Sequence, residues 1–104
     1  MIRQLATYQI RPEGIATVRE AIRVLVGHVR EYEPDILRYE AWQERDDPTR
    51  FSHSFVFRTA AAEQAHSDSA ATKRFAALPY PLWLAPVSCV DYELVATNLP
   101  QGRV

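Results

Sequence analysis

The chain of 104 residues has one cysteine, Cys89, and three glycines. One cysteine excludes an internal disulfide and a cysteine-built metal cluster, so a secreted, disulfide-held scaffold gains no support. None of the glycines falls in a phosphate-cradling pattern, which leaves nucleotide binding without a signature. No Gly-x-Ser-x-Gly turn presents a serine nucleophile. Neither charge is in surplus: 12 Lys and Arg stand against 13 Asp and Glu, for a net charge of −1 and a pI near 6.3. With the arginines scattered, nothing is arranged to neutralise a phosphate backbone, and nucleic acid is not expected as a partner. No apolar stretch reaches the roughly 18 residues of a membrane span, and the opening MIRQLATYQI passes directly into an alternating pattern instead of a signal-peptide core. A membrane is therefore not expected either, and the chain reads as soluble and cytoplasmic.

What remains is ordinary globular composition, with 47% hydrophobic and 24% charged residues, at the length of one domain covering 1–104 with a tail from 98. A domain this small buries only about two-thirds of its unfolded surface. A sheet with an uncovered face would seek a second copy, so a homodimer is expected.

Residues 2–11 alternate as a strand, with Ala6, Tyr8 and Ile10 on one side. From Pro12 the apolar residues Ile15, Val18, Ile22, Leu25, Val26 and Val29 recur at helical spacing until Glu33-Pro34 stops them. A second strand runs from Ile36 to Glu44, a charged turn spans 45–50, and a third strand from Phe51 to Phe57 sets Phe51, His53, Phe55 and Phe57 on one face. An alanine-rich helix from Thr59 to Phe75, with a break near Ser67–Ser69, leads through the Pro-rich 78–86 to a last strand, Ser88 to Thr97. The order β-α-β-β-α-β is the ferredoxin-like α+β arrangement, an antiparallel sheet with helices on one face.

Chemistry centres on two histidines. Ala62, Ala65, His66 and Ser69 fall at offsets of zero, three, four and seven and form one helical stripe toward the sheet. Their small side chains leave space beside the imidazole, and a concave apolar space with few polar groups is the usual form of a ligand site. If the aromatic row faces the helices, His53 lines the same space; otherwise it is a satisfied core or interface histidine. Trp42, Trp83 and Tyr80 are candidate flat walls for an aromatic ligand. Cys89 reads as a small buried hydrophobe and His28 as solvent-facing. The two histidines lie on separate elements without local ligand spacing, and Asp68 points away from the His66 face, so no metal is expected.

Taken in order, the Pro-Glu start of an Ile/Val-rich helix, "ERDDPTRF", a histidine two residues on, "AAAEQAHSDSAATKRF", "LPYPLWLAPV" and "DYELV" resemble the antibiotic biosynthesis monooxygenase family over almost the whole chain. The resemblance implies a dimeric α+β barrel, two sheets packed face to face, with a pocket between sheet and helices in each subunit. Members include cofactor-independent oxygenases of quinols and polycyclic phenols, and haem-degrading relatives. The family's helical histidine carries over to His66, and His53 matches one found in some members. Departures are Phe55 and Phe57, where many members have an acidic residue and a tryptophan, and Ala6, Thr7 and Tyr8, where the haem-degrading pattern has an asparagine.

The function implied is a monooxygenase without cofactor, acting on a small aromatic substrate, a phenol or quinol, and O₂. His66 would serve as base, His53 as a second polar contact, Ser69 as a further contact and Trp42, Tyr80 and Phe55 as ring contacts. The alternatives are a non-catalytic binding or structural dimer of the same fold and a small-metabolite isomerase.

Overall fold

The computed structural model describes residues 1–78, 83–100 and 102–104. Strand β1 (Ile2–Gln9) leads through a single 3₁₀ turn (Pro12–Gly14) into α1 (Ile15–Tyr32). Then come β2 (Ile36–Gln43), β3 (Arg50–Phe57), α2 (Ala60–Asp68), α3 (Ala70–Ala77) and β4 (Ser88–Tyr92). The sheet runs β2-β3-β1-β4, and every neighbouring pair is antiparallel. This is the α+β, ferredoxin-like architecture read from the sequence.

Helix α1 forms because its apolar residues recur every three or four positions. Val18, Ala21, Ile22, Leu25 and Val29 are buried on one stripe. It stops at Glu33 because Pro34 clashes with a helical residue before it, and Glu33 sits at φ −126°, ψ 67° with its N–H still bonded to the Val29 carbonyl. The β2–β3 connection is held by Asp47, whose Oδ1 accepts from the Thr49 N–H at 3.2 Å and the Thr49 hydroxyl at 2.6 Å. That turn fixes the register placing Ala41 opposite His53. A slip of one residue would turn His53 to the other face.

The face of the sheet toward the helices is now settled. Phe51, His53, Phe55 and Phe57 share it with Tyr8 and Ala6 of β1, their ladder neighbours. Tyr8, Ile10 and Phe51 close one end of the core against Val18 and Ile22 of α1. On the opposite face Arg38 donates from Nη1 to the Val104 carbonyl at 2.7 Å, which ties the C-terminal residues to that side.

The break expected near Ser67–Ser69 is present and divides the alanine-rich segment into two helices. Ser69 is extended (φ −66°, ψ 145°), so α2 ends and α3 begins around it. The Ser69 Oγ accepts from the Thr72 N–H at 3.1 Å and starts α3, as Thr59 Oγ1 does for α2 at Ala62. Only His66 is fully buried on α2, and no residue is on α3. Ala65, placed on the inward stripe by spacing, is exposed on α2, and beyond the break α3 brings Thr72 and Phe75 to the inward side. β4 ends at Tyr92, short of the expected Thr97, and Leu94 and Val95 stand exposed.

Candidate active site

The thin cover provided by α2 and α3 leaves a cavity of about 230 Å³ against the sheet. Tyr8, His53, Phe55, His66, Thr72 and Phe75 are among its walls. A wider groove of about 690 Å³ runs on the outer side, between α1 and α3. Leu25 and Phe75 belong to both linings and so divide the two spaces.

His53 is 3% exposed. Its Nε2 lies 2.7 Å from the Tyr8 hydroxyl and its Nδ1 2.6 Å from the Tyr39 hydroxyl. A neutral imidazole carries one N–H, so one tyrosine donates to the ring while the other accepts from it. Burial, and next the neighbouring His66, lower the His53 pKa to about 4. Burial pushes both tyrosines far up, Tyr39 further through Tyr8 and Glu33. At neutral pH the trio is an uncharged chain of short hydrogen bonds. With both nitrogens engaged, His53 reaches the cavity through the Tyr8 hydroxyl.

His66 is 6% exposed, and its ring lies 5.0 Å from Phe55 and 6.3 Å from Tyr39, centroid to centroid. Its Nδ1 is 2.9 Å from Glu33 Oε1, and Thr72 Oγ1 stands 3.4 Å from each ring nitrogen. The second Glu33 oxygen is 3.5 Å from His28 Nε2, an ion-pair distance without hydrogen-bond geometry. Among the described residues no group of three or more His, Cys, Asp or Glu could hold a metal ion.

Of the residues singled out from sequence, His53, His66, Phe55 and Trp83 meet at the cavity. Trp42 does not: it pairs with Ser52, one step off the His53 row, and is 58% exposed beside Arg19 and Arg23 of α1. Ser69 is spent on the helix junction, its hydroxyl donating to Thr72 Oγ1 at 2.9 Å, and is no cavity wall. Tyr80 lies outside the described residues. Cys89, expected as buried, is exposed on edge strand β4, where one side of the ladder has no partner strand. His28 is only 31% exposed and faces Glu33 instead of solvent alone.

Five site residues were not singled out: Tyr8, Tyr39, Glu33, Thr72 and Phe75. Tyr8 was placed on one face of the first strand, but only the ladder register brings its hydroxyl and that of Tyr39 to His53. Glu33 was read as a helix stop, which it also is.

A structure described as an antibiotic biosynthesis monooxygenase is 26% identical, with TM-score 0.86, over 92% of this chain and 100% of that one. A candidate antibiotic biosynthesis monooxygenase of Nitrosomonas europaea is 23% identical, with TM-score 0.83, over 92% and 100% of the two chains. PA3566 from Pseudomonas aeruginosa is 24% identical, with TM-score 0.81, over 91% and 94%. No curated protein matches the chain. The sequence profile of the antibiotic biosynthesis monooxygenase family covers residues 1–78, the span holding β1 to α3 and with them both buried histidines, and the chain belongs to that family.

Proposed function

We propose that the chain is a cofactor-independent monooxygenase that oxidises an electron-rich phenol or quinol with O₂, working as a cytoplasmic homodimer. The observation that carries this reading is the convergence of the His66 imidazole and the Tyr8 hydroxyl, backed by His53, on one apolar cavity. His66 takes the phenolic proton and leaves an electron-rich anion. The anion gives one electron to O₂, and the radical pair joins at a ring carbon that bears hydrogen. The peroxide anion takes the proton back from His66, and loss of water from the hydroperoxide leaves a carbonyl there. One oxygen atom is thus retained and the other leaves as water. The Tyr8 hydroxyl hydrogen-bonds the phenolate oxygen, Phe55 and Phe75 hold the ring, and the apolar walls keep water from the radical pair. A space of about 230 Å³, below the roughly 300–1,000 Å³ of drug-sized ligand sites, suits a small aromatic substrate. Trp42 has no part in this arrangement, and Ser69 acts only through Thr72.

The test is oxygen uptake by metal-free protein with a panel of quinols and anthrone-like phenols, less autoxidation. Uptake that His66→Ala reduces by about 10²–10⁴-fold supports the reading; none across the panel overturns it for those substrates. A binding dimer without turnover is the second reading, favoured by the apolar Phe55 and Phe57 where many members carry polar groups. Saturable quinol binding without oxygen uptake would select it.

A further inference from the structure

Glu33 occupies a position that neither helix stability nor solvation explains. It ends α1, where the helix dipole disfavours a negative charge, and its side chain is only 16% exposed, where a carboxylate needs compensation. Two groups face it. His66 of α2 comes to 2.9 Å through Nδ1, and His28, on α1 itself, to 3.5 Å through Nε2.

We propose that Glu33 is the positioning residue of this site, holding the His66 ring with Nδ1 protonated and Nε2 bare, so that Nε2 is the atom that accepts a proton from a ligand. A carboxylate can only accept a hydrogen bond, so the nitrogen it faces is the one that carries hydrogen. In a neutral ring the other nitrogen then holds a lone pair. Among the described residues the nearest recorded partner of Nε2 is Thr72 Oγ1 at 3.4 Å. That oxygen already accepts from the Ser69 hydroxyl at 2.9 Å, which leaves its own hydrogen free to point at a bare nitrogen. Once Nε2 takes a proton, the resulting imidazolium is offset by Glu33 without any charge moving into the cavity. The arrangement differs from that of His53, whose two nitrogens are both occupied by tyrosines. The chain itself supplies the geometry: Pro34 drives Glu33 out of helical conformation at the point where its side chain meets α2.

This rests on the reading of His66 as base, but its first test needs no substrate. Nitrogen-15 NMR of the histidine-labelled full chain, at a pH above about 8 where imidazoles are neutral, reports which ring nitrogen carries hydrogen. His66 is expected as the Nδ1–H form in the wild type, to lose that form in Glu33→Ala, and to keep it in His28→Ala. A wild-type His66 in the Nε2–H form overturns the proposal even if Glu33→Ala fails to fold, and so does a Glu33→Ala protein with the wild-type tautomer. With any phenol that turns over, Glu33→Ala should lower kcat about 10- to 100-fold with little change in KM. An unchanged kcat overturns the positioning role. If wild type turns over nothing, the oxygenase reading falls and the NMR result still decides the tautomer.

Discussion

His53 shows how much of a residue's behaviour is set by two hydroxyls and the removal of water. Its folded pKa, about 4, lies below the ordinary 6.5, so between these values the unfolded chain binds a proton that the folded chain does not. Stability should therefore rise as pH climbs through that window and be complete above it, a gain of about 3 kcal/mol at a cost of 1.36 kcal/mol per unit. Urea unfolding from pH 4 to 7 should give the rise, and His53→Leu should remove most of it. The Tyr39 hydroxyl makes the shortest bond to the ring. Tyr39→Phe leaves Nδ1 unpaired in a buried site and should cost about 1–3 kcal/mol in the same assay.

At the scale of elements, the junction between α2 and α3 decides what the site contains. A continuous helix would turn positions 72 and 75 well away from the His66 face; instead Ser69 turns the chain and Thr72 and Phe75 reach the cavity. The break is stabilised locally, since the Ser69 hydroxyl caps α3. Ser69→Ala should lower stability by about 1 kcal/mol, while Ser69→Gly should cost only a few tenths. Because Ser69 also bonds Thr72, the Ala variant is expected to weaken ligand binding, readable by titration of a quinol before and after the change. Helix α1 was legible to within a turn because its stripe is leucine and valine, whose burial dominates. The alanine-rich segment carries no such signal, so its break could be anticipated but its inward residues could not.

For the whole molecule, the unanswered surface is the sheet face away from the helices. Val90 and Tyr92 of β4 alternate with Cys89 and Asp91, and Asp91 bonds Gln4 on the helix side. They therefore point outward, 43% and 53% exposed, next to Leu5 and Arg3 in the ladder. Such a face on a small domain is what a second copy would cover. The homodimer reading expects sedimentation at twice the chain mass, and a Val90→Glu, Tyr92→Glu pair to give monomers. A wild type that sediments as a monomer at micromolar concentration would remove that reading.

The sequence by itself determined the order of elements and the antiparallel α+β class, because hydrophobic periodicity and turn chemistry are local properties of the chain. It also carried the family likeness through His53, His66 and the turn before β3. Which groups face those histidines was decided only by tertiary structure. Tyr8 and Tyr39 reach His53 across two ladders from 45 and 14 positions away, and Glu33 reaches His66 from 33. Trp42 was offered as a ring contact before the inner face was known: alternation tells which residues share a face, but only the packed helices decide which face is inside.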